Sequence, residues 1–262
     1  MVEITIRDAT NLDKIPVLKF CKNTFFWGDY IEYVWDYWLS EGDLFLAQKH
    51  YPIGICHASY SKDQIWIEGI RIDPKFRRQK IASQLVKHAE MIGRKKNLPF
   101  SFMLIDTENV ESLSMACSLN YDVFQTWNFY SLEPKINLNH NVTFVKSLDA
   151  KLYSHYVKSW RWISIDNDLL TSFYEKNSIV KCNVNDKSSI AFLIDSEHFA
   201  NTLIVTLFSN SNDSALEIIS FLQNFGIEKN YERIQILTRD ELPNFDSLEY
   251  KISFHLMKKA LV

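Results

Sequence analysis

The chain has 262 residues, of which 47% are hydrophobic and 23% charged, with a formal net charge of -3. This is the composition of a globular protein with one large or two modest domains, and the lack of a basic excess argues against a duplex nucleic-acid binder. Because no apolar run reaches the ~18 residues of a membrane span and the N-terminus lacks a secretion pattern, we expect a cytoplasmic protein that binds no membrane.

The first half of the chain alternates helices and strands. Residues 2–7 alternate apolar and polar side chains, which predicts a strand, and the aromatic segment 30–39 has Ile31, Val34, Trp35 and Trp38 on one helical side. Strands are predicted at 2–7, 43–48, 53–60, 64–72, 100–105 and 121–132, and helices at about 10–21, 30–39, 81–96 and 109–119. This order indicates an α/β domain with a mixed sheet.

The composition turns polar around residues 133–141, where Pro134 also lies, so we predict domains at 1–134 and 141–262. The second domain has predicted strands at 190–194, 203–208, 233–238 and 252–257, and a predicted helix at 213–225. Four scattered cysteines without a Cys-x-x-Cys pair argue against a zinc site or a disulfide scaffold, so no metal is expected.

The strongest chemical signal lies between the strand at 64–72 and the helix that begins near Ile81. Free backbone N–H groups at a helix N-terminus, together with the helix dipole, form an anion site. Arg77, Arg78 and Lys80 add positive charge beside it, and Ser83 adds a hydroxyl donor. A diphosphate is the natural ligand of such a loop.

This loop resembles the acetyl-CoA motif of the GNAT (Gcn5-related N-acetyltransferase) superfamily, V-x-P-x-x-[RQ]-x-x-G-x-[GA]. Ile72, Pro74, Arg77 and Ala82 match the motif, whereas Lys80 stands at the glycine position. Lysine there costs free energy if its φ is positive, and is tolerable if the loop is helical at that point.

A second segment, one strand further on, resembles the GNAT pattern N-x-x-[AS]-x-x-[LF]-Y-x-x-x-G-[FY]. The matching residues are Asn109, Ser112, Met115 and Tyr121, with Ala116 at the tyrosine position and Asn120 at the glycine position. Asparagine is the next best residue after glycine for a left-handed helix cap.

The resemblance implies a GNAT acyl-CoA N-acyltransferase fold, acetyl-CoA as co-substrate and an amine acceptor. The cofactor-binding residues that it implies are Ile70, Arg71 and Ile72 through their backbone, Arg77, Arg78, Gln79, Lys80, Ile81, Ala82, Ser83, Asn109 and Ser112. It implies Glu68 as the catalytic base, although Glu68 could instead be an exposed strand residue or pair with Arg71 or another neighbouring charge.

The family often has a tyrosine at the Ala116 position to protonate the leaving thiolate. Three alternatives stay open: the thiolate leaves without a dedicated acid, Tyr121 or Tyr130 acts as the acid, or activity is weak. By the same resemblance, Trp27, Tyr30 and Tyr33 are candidates for the acceptor pocket, with aromatic core packing as the other interpretation.

The second half repeats the order of elements but has no basic loop, and Asp213 is predicted to cap its helix where a phosphate would bind. We therefore expect a degenerate second GNAT-like domain that binds no CoA and completes the acceptor cleft, with Trp160–Trp162 as its most site-like cluster.

The leading interpretation is acetylation of a small amine of the amino-acid or polyamine type, by a monomer or homodimer. The alternatives are a non-catalytic acyl-CoA sensor and a protein N-terminal or lysine acetyltransferase.

Overall fold

A computed structural model describes residues 3–22, 24, 28–138, 140–149 and 153–261. The chain forms two compact units, one made of Met1–Phe124 with Leu256–Val262, and the other of Gln125–His255. The predicted domains 1–134 and 141–262 differ from these units at two places. Residues 125–134 lie in the second unit, and the last seven residues of the chain, 256–262, lie in the first.

The first unit is built on a mixed sheet with helices on both faces. Its elements are β1 Thr5–Asp8, α1 Lys14–Cys21, α2 Ile31–Glu41, β2 Asp43–Gln48, β3 Pro52–Ser61, β4 Gln64–Ile72, α3 Ile81–Lys95, β5 Phe100–Asp106 and α4 Val110–Ser118. The sheet order is β1-β2-β3-β4-β5, followed by the last strand of the chain, β14 Leu248–Ala260. β1 to β4 are antiparallel, and β4 and β5 are parallel.

Side chains that alternate along the strands fill two separate cores in this unit. Along β2, Phe45 and Ala47 pack with the buried stripe of α3, while Leu44 and Leu46 pack with α1 and α2 on the other face. Alternation is what a strand covered on both faces requires, because successive side chains point to opposite sides.

The predicted helices of this unit are present. All four residues of the stripe predicted for α2, Ile31, Val34, Trp35 and Trp38, are buried. The apolar residues at helical spacing in the predicted helix 10–21 are Leu12, Ile15, Leu18 and Cys21, and only part of this set is inside. Leu12, on the 3-10 turn Asn11–Asp13, and Ile15 are 89% and 81% exposed, whereas Cys21 is buried together with Val17. The predicted first strand begins at Thr5, and its predicted start at Val2 lies outside the described residues.

The strands of the second unit also pair in mixed directions. Its elements are β7 Thr143–Phe144, β8 His155–Lys158, β9 Arg161–Ser164, α5 Asn167–Glu175, β10 Ile179–Val184, β11 Lys187–Asp195, β12 Thr202–Phe208, α6 Asn212–Glu228 and β13 Arg233–Thr238. The sheet order is β6-β13-β12-β11-β10-β7, where β6 is Asp122–Leu132, and β8 and β9 form a separate hairpin. Within this order β12 and β13 are parallel and the other pairs are antiparallel. The sequence patterns missed β7, β8, β9, α5 and β10.

Each unit contains a strand segment from the other half of the sequence. In the first unit, Met257 and Leu261 are part of the core that α3 covers. The Lys259 ammonium lies 2.8 Å from both carboxylate oxygens of Glu90, which is 2% exposed. In the second unit, residues 128–132 of β6 pair antiparallel with β13.

Among the described residues, no helix combines the length and the apolarity that crossing a membrane requires.

Candidate active site

The basic loop and the start of α3 have the local geometry that the predicted anion site requires. A 3-10 turn at Pro74–Phe76, capped by the Asp73 carboxylate, leads to residues 77–80, all of which are exposed. The first helical bond of α3 runs from the Gln84 amide to the Lys80 carbonyl, 3.0 Å away, so the three amides before it have no partner inside the helix. Of the predicted ligands here, Ile81 is a core side chain and can bind only through its amide, while Ala82 and Ser83 are half-buried.

Lys80 stands at the N-cap of α3 in the left-handed region, with φ +59° and ψ +21°. The position is therefore not helical, and the positive φ explains why the resembling motif has glycine there. A non-glycine residue in this conformation costs about 1–2 kcal/mol. Arg78 is also left-handed, with φ +61°. The loop accepts this strain and presents its cations next to the free amides of α3.

The parallel strands β4 and β5 separate beyond their first residues. They pair at three positions, Gln64 with Phe100, Ile65 with Ser101 and Trp66 with Phe102. β4 then continues to Ile72 and β5 to Asp106, so an opening forms between their C-terminal ends. Such an opening accepts an extended chain that bonds to backbone groups as a strand would.

A β-bulge lies in β4 at this opening. His57 pairs with Glu68 and Ile55 with Arg71, so β4 advances three residues while β3 advances two. The extra residue changes which face the side chains take, because the α3-facing positions are Ile65 and Ile67 before the bulge, and Ile70 and Ile72 after it. A bulge leaves backbone groups outside the strand ladder, and residues 70–72, whose backbone the resemblance assigns to the cofactor, follow it directly.

Gly69 makes the bulge possible. Its φ is +62°, and a Cβ there would lie 2.2 Å from Cη2 of Trp38 on α2. The indole of Trp38 therefore packs directly on the backbone of the bulge. This close approach needs glycine for two independent reasons, conformation and space.

Next to the bulge, the Glu68 carboxylate is held by a neighbour at each oxygen. Oε1 lies 2.9 Å from Nδ1 of His57, and Oε2 accepts a hydrogen bond from the Trp66 indole N–H at 3.1 Å. His57 is fully buried and stacks on Trp38 at 4.6 Å between ring centroids, whereas the Glu68 side chain keeps 18% of its surface exposed. Glu68 is thus oriented and accessible.

A second polar group lies further along β4. The Arg71 guanidinium donates to both oxygens of Asp29, at 2.6 and 3.2 Å, and lies 5.2 Å from the ring centroid of Tyr30. Arg71 thus forms an ion pair with Asp29, and the alternative that Glu68 is a strand carboxylate paired with Arg71 or another neighbouring charge stays open. Burial raises the pKa of Tyr30, and the charge of Arg71 partly offsets this.

The three predicted acceptor residues have different surroundings. Tyr30 is the N-cap of α2 and stands edge-on to Trp38 at 6.1 Å between ring centroids. Tyr33 is 76% exposed. Trp27 lies outside the described residues. Of these, Tyr30 lies near Glu68, whose charge raises its pKa.

Asn109 and Ser112 form the cap of α4. The Asn109 side-chain oxygen accepts the Ser112 amide at 3.0 Å, which orders the turn after β5. At the other end, Asn120 has φ +65°, its amide donates to Cys117 and the Tyr121 amide to Ala116. This is the left-handed cap expected of an asparagine at a glycine position.

The two positions considered for a catalytic acid are buried in the core of the first unit. Ala116 is 0% exposed, and Tyr121 is 1% exposed with its hydroxyl 2.6 Å from Ser101 Oγ. Burial raises the pKa of Tyr121 well above its usual range. Tyr121 contacts Ser101 on β5 and Glu90 on α3, and Lys259 on β14 lies 5.4 Å from its ring, and these contacts favour a structural role. Tyr130, the other alternative, accepts the Leu242 amide in the second unit.

The corresponding strand-turn-helix of the second unit lacks the opening and the basic loop. β12 and β13 pair at six positions, from Thr202 with Arg233 to Leu207 with Thr238. The connection to α6 is residues 209–211, and there the Ser209 amide donates to the Asp240 carboxylate at 3.1 Å. The Asp240 carboxylate thus puts a negative charge beside this connection, and like charge disfavours a phosphate there.

Two details of the second unit differ from expectation. The N-cap of α6 is Ser211, which accepts the Ser214 amide, and the predicted cap Asp213 lies in the first turn instead. In the Trp160–Trp162 cluster, Trp162 is 0% exposed and Trp160 bonds to Gln235 at 2.9 Å. Packing accounts for both tryptophans.

Sequence reasoning missed His57 and Asp29, the partners of the two charged residues on β4. No motif marks either residue, and both meet their partners only through strand pairing or helix placement. Among the described residues, no group of three His, Cys, Asp or Glu side chains could hold a metal ion.

Residues 13–119 match the sequence profile described as Acetyltransferase (GNAT) family. A GCN5-related N-acetyltransferase from Sphaerobacter thermophilus is 11% identical, with 98% of this chain and 96% of that chain covered at a TM-score of 0.65. A tandem GNAT protein from the clavulanic acid biosynthesis pathway is 8% identical, with 99% of each chain covered at a TM-score of 0.58. Among curated proteins none matches the chain. The structural likenesses show the fold over the whole chain.

Proposed function

Because this chain carries a domain of the GNAT acetyltransferase family over residues 13–119 and has the fold of a tandem GNAT protein, we propose that it transfers an acetyl group from acetyl-CoA to a primary amine. The observation that carries the proposal is the placement of an oriented carboxylate, Glu68, beside the bulge in β4 and the opening between β4 and β5. Amide formation from a thioester requires a base close to the bound thioester, and the opening between β4 and β5 can accept the extended chain that carries it.

The basic residues and free amides of the first unit support acetyl-CoA as the ligand, because its diphosphate is negatively charged. We assign the diphosphate to the α3 amides of residues 81–83, with Arg77, Arg78, Gln79 and Lys80 around it. Lys75 adds another exposed cation, and Asp73 directs its carboxylate inward to the Lys75 amide, at 3.0 Å. The pantetheine arm would follow the backbone of 70–72 on β4, with the turn that Asn109 and Ser112 order on the other side.

Glu68 would take one proton from the acceptor ammonium, which frees the nitrogen lone pair for attack. When bound, acetyl-CoA supplies the activated acyl group, so that a C–N bond forms as the C–S bond breaks. The second N–H proton then goes to the departing thiolate. Glu68 releases its proton through its exposed edge, which is 18% of the side-chain surface.

A dedicated acid is not essential to this scheme. Free thiols titrate near ~8.5, so a thiolate is a tolerable leaving group. Ala116 cannot donate a proton. The role of Tyr121 as the acid stays a prediction, and its surroundings favour a structural role.

For the acceptor we propose a small amine of the amino-acid or polyamine type. Around the carboxylate, Glu68 and Asp29 are acidic and Arg71 is basic, so the charges favour a cationic group over an anionic one. Tyr30 adds an aromatic surface against which an ammonium can pack. That the second unit contributes to the acceptor cleft stays a prediction, as does the monomeric or homodimeric state.

Thiol release from acetyl-CoA, measured with a panel of polyamines, free amino acids and peptides with a free N-terminus, tests the proposal. We expect turnover with at least one amine, and small amines to exceed peptides. Glu68→Gln should lower kcat by about 100-fold or more, because it removes the base. Asp122→Asn, at an exposed carboxylate on β6, is the matched control and should leave kcat unchanged.

The rival function is a non-catalytic acyl-CoA sensor. The fully buried Ala116 and the strained Lys80 favour it, because the chain departs from the motif at both. Acetyl-CoA binding without turnover of any amine would support the sensor. A chain that binds no acetyl-CoA would exclude both functions.

We also propose that the second unit binds no CoA. The support is the full pairing of β12 with β13 and the Asp240 carboxylate on the Ser209 amide, in the connection before α6. Isothermal titration should therefore give one acetyl-CoA site per chain. Two sites per chain would refute this.

A further inference from the structure

His57 contacts Glu68 and is held in place by strand pairing, ring stacking and burial. It lies on β3 directly opposite Glu68 in the strand register, with Nδ1 2.9 Å from Oε1. Its ring is parallel to the Trp38 indole within 1°, at 4.6 Å between centroids, and no part of it reaches solvent. The bulge, the glycine and the indole together fix the imidazole in one orientation.

A carboxylate that serves as a base needs a defined direction as well as exposure. The Trp66 indole N–H holds Oε2 at 3.1 Å, and Trp66 is on the same strand as Glu68. The imidazole holds Oε1 from the neighbouring strand. A donor on each oxygen restrains rotation of the carboxylate about its own axis, which keeps its accessible lone pairs aimed to one side.

We propose that His57 is a positioning residue, which donates from Nδ1 to Glu68 and holds that carboxylate in the orientation and charge state that proton abstraction requires. The inference rests on the proposed function, since Glu68 acts there as the base. It assigns His57 no contact with the substrate.

The competing explanation is that His57 only fills space between the sheet and α2. These explanations predict opposite effects for two substitutions. His57→Phe keeps a ring against Trp38 but removes the donor. His57→Asn loses the stacking but keeps an N–H at the place of Nδ1. If His57 positions Glu68, His57→Phe should lower kcat by about 10- to 100-fold, because a hydrogen bond to a charged group is lost. His57→Asn should keep most of the wild-type kcat.

The pH profile separates these roles further. A hydrogen bond to the charged form of a carboxylate favours that form, so in His57→Phe the acid limb of kcat/KM should move up by roughly one pH unit. His57→Asn should keep the wild-type limb. Within the part of the chain that the structure describes, the titratable groups near this pair include Cys56 on β3 and Tyr30 at the N-cap of α2, and around Tyr30 lie the charged Arg71 and Asp29. Burial raises the pKa of Cys56 and Tyr30, so both stay neutral over the pH range of the acid limb, and Arg71 and Asp29 form an ion pair with each other.

Nitrogen-15 NMR of the His57 ring gives a readout that needs no turnover. The wild type should show the Nδ1-protonated form, with a slowly exchanging proton, and Glu68→Gln should shift that signal. This measurement also keeps the proposal testable if a His57 variant does not fold, which circular dichroism and acetyl-CoA binding will reveal.

The outcomes separate the two ideas. If the wild type acetylates no amine, the proposed function fails, and the NMR signal alone then decides whether His57 donates to Glu68. If the wild type is active and His57→Phe matches it in kcat and pH profile, His57 only packs and the inference is wrong. A wild-type signal protonated at Nε2 alone would overturn it as well.

Discussion

Replacing Lys259 with methionine should destabilise the first unit by about 3 kcal/mol, since loss of one partner of a buried ion pair costs roughly 3–5 kcal/mol. Lys259 bonds both oxygens of Glu90 at 2.8 Å, and the two side chains are 15% and 2% exposed. We choose the lower end because Arg94, 3.6 Å from Glu90, can still offset part of the isolated charge. For a chain of this size the change corresponds to a fall in Tm of about 6–12 °C.

Urea unfolding is the assay, with hydrogen exchange at α3 and β5 to assign the loss to the first unit. The double variant Glu90→Gln with Lys259→Met should lose less than Lys259→Met alone, because no buried charge is left unpaired. Lys251→Met is the matched control on the same strand. It breaks an exposed pair with Glu249, 38% and 68% exposed, and should cost less than about 0.5 kcal/mol. If Lys259→Met and Lys251→Met cost the same, the strand is not anchored through Glu90 and the reasoning fails.

Substitutions at three further positions test the local geometry. Lys80→Gly should stabilise the chain by roughly 0.5–1 kcal/mol by relieving the positive φ, whereas Lys80→Ala should not, as urea unfolding will show. Gly69→Ala should cost about 2–4 kcal/mol, from the left-handed backbone and the clash with Trp38, and a fall in Tm below a few degrees would contradict this. Arg7 donates hydrogen bonds to Asp13 and lowers the pKa of Asp13 to about 2. The stabilisation from the Arg7–Asp13 ion pair is therefore complete above pH ~4 and is lost as pH falls toward ~2. Asp13→Asn should flatten that part of the stability-against-pH curve.

Much of the first unit could be predicted from the sequence because its signals are local. The bounds predicted for β2 and β4 are those of the structure, and α3 begins at Ile81 as expected. The basic residues, the helix start and the left-handed cap at Asn120 are properties of short segments. Such features depend on neighbours within a few residues, which periodicity and turn chemistry report.

The second half was harder to predict for a physical reason. The hairpin β8–β9 and the strand β10 are short, and buried residues on both faces hide the alternation that marks a strand. In α1 the apolar spacing was present, but Leu12 and Ile15 point outward because the helix packs through Val17 and Cys21 instead. Periodicity shows that an apolar face exists, and the packing partner decides which residues it buries.

The sequence by itself determined the anion loop, the helix behind it and the carboxylate Glu68 on the strand before it. Only the tertiary structure decided what makes that carboxylate chemically distinctive: the pairing of β3 with β4 that brings His57 to it, and the separation of β4 from β5. It also decided that residues 256–262 belong to the first unit. These outcomes depend on register and packing between segments distant in the chain, whose energies no local pattern contains.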